Sequence, residues 1–260
     1  MNDSNHAPIP VVLSWSGGKD SALALQALQR DNRYEVTALL TTVSEEYGRV
    51  SHHGVREELL DAQAAAIGGP RLDKIYLPSN EEGRCTNEQY EAIMREAMLG
   101  YRKEGLRHVA FGDLFLEDLR AYRESRVNEA GMEAVFPLWL NDTSALAQRF
   151  IDDGFEACLT CVDARKLDES FAGRIFDAEL LDDLAEVRVD PTPADSDCGC
   201  PLPQPQSATV DPCGENGEFH TFVYNGPIFR RPVDILVAHT VHIDGRYFAE
   251  LLPRALAPRW

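Results

Sequence analysis

Ser16-Gly17-Gly18-Lys19-Asp20-Ser21 stands between a short β-like run, Val11 to Trp15, and a helix-period segment, Ser21 to Gln29. Two adjacent glycines let a chain turn sharply and bring its backbone close to a ligand without interference from a Cβ. The helix that follows offers unpaired N–H groups and the positive end of its dipole, which together make an anion site. Ser16 and Ser21 add hydroxyl donors and Lys19 adds a cation, so the loop suits a pyrophosphate. It is not a Walker A loop, because the G-x-x-x-x-G-K-[ST] spacing is absent. A bare Gly-Gly-Lys is often only a turn opening a helix; six such residues directly after a first strand point to phosphate.

The rest of the chain repeats that alternation. Apolar runs at Val36–Thr42, Leu72–Leu77, Val109–Phe111 and Ala134–Trp139 read as strands. Val55–Ile67, Thr86–Tyr101 and Asp118–Glu129 read as helices, the first stopped by Gly68-Gly69-Pro70. Thr86 with Gln89 has the spacing of a capping box. The expected fold class is α/β, a doubly wound, mostly parallel sheet with helices on both faces. After about residue 140 the rhythm changes: a helix at Asp142–Asp152, a strand at Phe155–Val162, an acidic helix at Ala178–Glu186 and β-rich stretches at Gly217–Phe229 and Val233–His242. We therefore expect a phosphate-loop domain over 1–140 and a smaller α+β substrate domain over 141–260. Six of the fifteen prolines fall within 190–212, which reads as an inserted loop.

Composition excludes several classes. A net charge of −18 argues against binding a long nucleic acid or an anionic membrane, both of which need basic surface. No apolar stretch reaches the roughly 18 residues of a membrane span. The N-terminal MNDSNHAPIP lacks a basic region followed by an apolar one, so the expected location is the cytoplasm. Six cysteines are too sparse for a disulfide scaffold. Cys158-Leu-Thr-Cys161 and Cys198-Gly-Cys200 invite a zinc reading, but on a strand Cys158 and Cys161 face opposite sides and the second pair lacks a two-residue spacer. No metal ligand is therefore assigned. Cys85 and Cys213 have no evident partner.

Ligands on open parallel sheets lie outside the carboxyl ends of the strands. Thr41, Thr42, Gly112 and Asp113 occupy such ends. Asp113 suits a ribose hydroxyl, Mg²⁺ or a substrate amine, and equally a helix cap. His53 and Arg56 follow the second strand closely enough to reach the same crevice. Gly214-Glu-Asn-Gly-Glu-Phe-His-Thr221 packs two carboxylates, an amide and an imidazole into eight residues. In an extended stretch Glu218 and His220 share one face and Phe219 and Thr221 the other. Either Glu218 or His220 suits a general base.

The hexapeptide resembles the PP-loop of the adenine nucleotide alpha-hydrolase superfamily, the N-type ATP pyrophosphatases. Three further stretches, His53-Gly-Val-Arg-Glu57, Phe111-Gly-Asp-Leu-Phe-Leu-Glu-Asp-Leu-Arg120 and Cys213 to Thr221, the last followed by Asn225-Gly-Pro-Ile-Phe229, look like the diphthine–ammonia ligase family in its bacterial-type branch. The likeness runs from about Val11 to Phe229, broken by the Cys/Pro-rich stretch at 191–210. It implies ATP and Mg²⁺, attack of a carboxylate on the α-phosphate, release of pyrophosphate and AMP, and delivery of ammonia. The partners implied are ammonia and a carboxylate acceptor, small molecule or protein, and a homodimer is compatible. The namesake acceptor is the modified histidine of elongation factor two; the bacterial-type motifs point to a small carboxylic acid. On this likeness Ser16, Gly17, Gly18, Lys19, Asp20, Ser21, Thr41, Thr42 and Gly112 bind the nucleotide. Lys19, Asp113, Glu218 and His220 are the candidate catalytic residues. His53, Arg56, Glu215, Asn216, Glu218, His220 and Thr221 hold the acceptor. The alternatives are a sulfur transferase on the same scaffold, which requires a competent cysteine, and a protein that binds ATP or AMP without turnover.

Overall fold

Val11, Val12 and Leu13 are consecutive and all fully buried, which requires a strand covered on both faces. The structure, a computed structural model, describes residues 7–51, 53–79, 85–189 and 209–254. The first strand is β1 (Ile9–Ser14), followed by α1 (Lys19–Arg30), β2 (Tyr34–Ser44), β3 (Arg49–Val50), α2 (Glu57–Ile67), β4 (Arg71–Leu77), α3 (Asn87–Lys103), β5 (His108–Ala110), α4 (Glu117–Glu129) and β6 (Glu133–Val135). β1, β2, β4, β5 and β6 pair in parallel in the order β4-β2-β1-β5-β6, and the short β3 joins β2 antiparallel. Alternation sorts the side chains. Val11, Leu13, Leu39 and Ala110 join one core with Leu23, Leu59 and Leu60 of α1 and α2. Val12, Ala38, Leu40 and Val109 join the other with Met98, Tyr101 and Val127 of α3 and α4. The doubly wound expectation is met.

The chain runs outward from β1 to β2 and β4, then returns through α3 to β5 on the other side of β1. The order therefore reverses between β1 and β5, the place where open α/β sheets bind ligands. α3 starts as expected: Thr86 Oγ1 accepts from Gln89 N at 3.3 Å and Thr86 N donates to Gln89 Oε1 at 3.0 Å.

The second half comprises α5 (Thr143–Asp152), β7 (Glu156–Asp163), α6 (Ala178–Glu186), β8 (Phe219–Asn225), β9 (Ile235–Ile243) and β10 (Arg246–Pro253). Its sheet is antiparallel, in the order β8-β7-β10-β9. β3 and β10 are additions to the sequence expectation, and of the Ala134–Trp139 run only Ala134 and Val135 are strand, in β6. Of the expected 190–212 loop, 190–208 lies outside the described residues. Its described end is core: Val210 is buried and Thr209 bridges to Arg188. No helix among the described residues is long and apolar enough to cross a membrane.

Candidate active site

The loop after β1 is held from three sides. Trp15 N donates to Leu40 O of β2 at 2.7 Å. Gln63 of α2, wholly buried, accepts from Trp15 Nε1 at 2.8 Å and donates to Gly17 O at 2.9 Å and to Val223 O at 2.6 Å. β8 arrives from the second sheet: Val223 N donates to Gly17 O at 2.9 Å, and Thr221 Oγ1 accepts from Lys19 N at 3.0 Å. Gly17 has φ +79°, a left-handed conformation that glycine adopts freely. A Cβ on Gly18 would meet Thr221 O at 3.0 Å and His53 Cε1 at 3.1 Å, so this turn has no room for a side chain. Ser21 Oγ donates to Gly18 O at 2.8 Å, and Ser16 Oγ accepts from Gly18 N at 3.3 Å. Both serines thus brace the loop.

Lys19 is held in place rather than extended into solvent. It is 2% exposed, with Nζ 2.6 and 2.8 Å from the two Asp20 carboxylate oxygens and 5.9 Å from the centre of the Phe219 ring. Burial works to lower the Lys19 pKa, but Asp20 outweighs it and keeps the ammonium charged. Asp20 is itself pushed upward by burial and by the carboxylates of Asp211 and Asp113, against the pull of Lys19. Glu215 stands beside this pair. Burial first, then the charge of Asp20, raises its carboxyl to about 8, although Leu114 N donates to it at 2.8 Å.

These groups open on a cleft of about 360 Å³ at the carboxyl ends of β1, β2 and β5. From the expected nucleotide set, Ser16, Gly18, Lys19, Asp20, Thr41 and Thr42 line it. Thr41 Oγ1 is buried there without a hydrogen-bond partner among the described residues. His53, Glu215, His220 and Thr221 of the expected acceptor set line it too. The His53 and His220 rings lie 4.5 Å apart, centre to centre.

Other expected residues stand back. Gly17 and Ser21 shape the loop from behind. Gly112 brings β5 against α1, where a Cβ would sit 3.0 Å from Asp20 O. Asp113 pairs with Arg123 Nε at 2.8 Å. Arg56 binds Glu250 of β10 at 2.5 Å, alongside Arg49 at 2.7 Å, and does not line the cleft. Glu218 lies just before β8, where Oε1 accepts from Asp211 N and Asn216 Nδ2, both at 3.2 Å. Asn216 is further tied by Lys166, whose Nζ donates to its carbonyl at 2.8 Å. His220 lines the cleft and Glu218 does not, whereas Phe219 and Thr221 both reach Lys19.

Sequence reasoning passed over Trp15, Gln63, Tyr90, Met94, Arg123 and Arg246. Gln63 carried a signal: it lies on the apolar stripe of Leu59, Leu60 and Ile67, where a polar residue needs a buried partner.

The described cysteines are free thiols. β7 bulges between Leu159 and Cys161, so simple alternation does not place Cys158 and Cys161. Cys158 sits in the apolar core with its thiol pushed to about 12 by burial, and Cys161 is raised to about 11 despite Arg246. Cys213, beside Thr143 O at 3.3 Å, is shifted upward by burial as well. Cys198 and Cys200 lie outside the described residues. Among the described residues no three His, Cys, Asp or Glu side chains converge as a metal centre.

A family model described as the diphthamide synthase N-terminal domain matches residues 10–134, and one described as the diphthamide synthase C-terminal domain matches 142–191 and 205–250. No curated protein matches the chain.

Proposed function

The chain belongs to the diphthamide synthase family, and on that premise we propose that it activates a carboxylate with ATP and transfers the acyl group to ammonia. Membership carries an ATP-dependent, ligase-type activity; the acceptor and the route are our reading. What supports it most is one juxtaposition: a glycine turn with a buried ammonium faces, across a single cleft, the carboxyl of Glu215 and the imidazole of His220.

The residues fit a nucleotide. At Gly18 the turn leaves no room for a Cβ beside Thr221 O and His53, and the Thr41 hydroxyl, buried in the cleft without a partner among the described residues, can bind a ligand there. Trp15, Thr41 and Thr42 line the part of the cleft that would hold the base of ATP, and the loop would hold its phosphates. Mg²⁺, which keeps most of its waters and binds phosphates with one or two carboxylates, would be held there with the help of Asp20 and would supply charge neutralisation.

In the first step a carboxylate oxygen attacks the α-phosphorus and the bond to the bridging oxygen breaks, releasing pyrophosphate. Lys19 and the loop amides stabilise the charge that develops. In the second step ammonia forms a C–N bond at the acyl carbon and the C–O bond to AMP breaks. The nitrogen must lose protons, and Glu215 accepts one because its carboxyl titrates near the working pH. His53 and His220 orient the reacting carboxylate. Residues 1–140 hold the nucleotide in this scheme, and residues 141–260 supply β8 with its acid–base groups.

Sulfur transfer finds little support in Cys158, Cys161 and Cys213, whose buried thiols are held protonated. Incubation with α-labelled ATP, Mg²⁺, ammonium and a panel of carboxylic acids tests the scheme. Labelled AMP with pyrophosphate is expected; ADP with phosphate would overturn it. Tight AMP binding with no pyrophosphate from any acid would favour a non-catalytic nucleotide binder.

A further inference from the structure

Between α3 and α4 lies a second cavity, of about 280 Å³. Its floor is Met94, Met98, Phe111 and Val127. Tyr90, Met94, Phe111 and Arg123 line both this cavity and the nucleotide cleft, so the two spaces adjoin. Arg123 forms the partition, with Nε 2.8 Å from the Asp113 carboxylate and its guanidinium carbon 4.6 Å from the Phe111 ring centre. At the rim Arg126 takes up Glu129 at 3.1 Å and Glu91 at 3.6 Å. Arg95, on the same rim, is exposed and has no ion-pair partner among the described residues.

An apolar floor, a few polar groups at the mouth and a volume near the lower end of about 300–1,000 Å³ are the attributes of a small-molecule site. We propose that this cavity holds the body of the acceptor, an aromatic or branched aliphatic acid whose carboxylate reaches past Arg123 into the nucleotide cleft. A nucleotide is the poorer occupant. Its base has a place beside the phosphate loop, and Glu88, Glu91 and Glu129 at this rim repel phosphate. Arg95, exposed at the rim, suits a second anionic substituent. The acceptor's identity as a carboxylate rests on the adenylation reading; the apolar ligand site does not. The half of the chain that carries the phosphate loop would then also select the acceptor.

The methionines give a direct readout, because Met94 and Met98 line the cavity while Met132 does not. In methyl-labelled protein, titration with 3-phenylpropionate should shift the Met98 resonance and leave Met132 in place. Ala92→Trp puts a bulky ring at the mouth from an exposed helix position. It should weaken 3-phenylpropionate binding at least tenfold while ATP affinity stays unchanged, with an unmoved Met132 methyl reporting an intact fold. No Met98 shift at millimolar probe, or equal binding by the variant, would overturn the site. AMP release tested in parallel separates the two readings. A Met98 shift without AMP release from any acid removes the adenylation scheme and keeps the cavity. AMP release by aromatic acids that Ala92→Trp does not impair removes the cavity as acceptor site.

Discussion

A carboxyl group that ionises only at about pH 8 is a base on the alkaline side of neutrality, and Glu215 is such a group because it is buried beside Asp20. If it accepts the proton from the attacking nitrogen, kcat should rise with pH through about 8. Glu215→Gln should flatten that limb of the profile, read from AMP release between pH 6 and 9; an unaltered limb would assign the proton elsewhere. The same residue has a stability signature. Its folded pKa lies above the ordinary value of 4.5, so the folded state binds the extra proton between about 4.5 and 8 and stability falls as pH rises through that window. Glu215→Gln should therefore be more stable than the parent at pH 8, and the gain should vanish below about pH 4.5, as denaturant midpoints at each pH would show. Lys19 calls for a different expectation. Lys19→Met removes the cation beside Asp20, but that side chain is 32% exposed and can be solvated or take up a proton. The variant should fold, and AMP release should fall by about 10²-fold or more, the scale of losing a preorganised charge at a reacting phosphate. A loss under about threefold would show that the loop amides suffice.

At the scale of elements, the site depends on three segments meeting at one amide. Gln63 ties α2 to the phosphate loop and to β8 through Trp15 Nε1, Gly17 O and Val223 O. Gln63→Leu keeps the volume and strands the indole N–H and the Val223 carbonyl in the core. At about 1–3 kcal/mol for each unsatisfied buried group, the expected loss is roughly 3 kcal/mol, measured by denaturant unfolding, with ATP affinity weakened as the loop loosens. A change under about 0.5 kcal/mol would mean that water replaces the amide. β1, the loop and α1 were legible in the sequence because glycines, a β-branched run and a helix period all agreed. β10 was not read, although Asp244-Gly245 announced it. Both residues have positive φ (49° and 73°), the two-residue turn that Asp-Gly favours between antiparallel strands. The junction of β8 with the loop was out of reach for another reason: Lys19 and Thr221 are 202 residues apart, and nothing local in either segment reports a hydrogen bond between them. Arg56 misled for the same cause, since its partner Glu250 lies on the unread strand.

Over the whole molecule, the net charge of −18 and an anion-binding cleft pull in opposite directions. Three cations line the cleft and each is engaged: Lys19 pairs with Asp20, Arg123 with Asp113, and Arg246 donates to Gly217 O at 3.5 Å. An approaching nucleotide therefore feels the repulsion of the acidic surface before it feels the loop amides. Salt shortens that repulsion, since the Debye length falls from about 30 Å at 0.01 M to about 8 Å at 0.15 M, while buried pairs are screened much less. Electrostatic attraction makes association slower at high salt; here the sign should be reversed. Raising KCl from about 20 to about 200 mM should increase the association rate of a fluorescent ATP analogue by about threefold and leave its dissociation rate nearly constant. Stopped-flow mixing at fixed free Mg²⁺ would read both rates. A fall in the association rate with salt would mean that the arginines at the cleft reach further into solvent than the acidic surface around them, and that the nucleotide is steered in rather than admitted against a barrier.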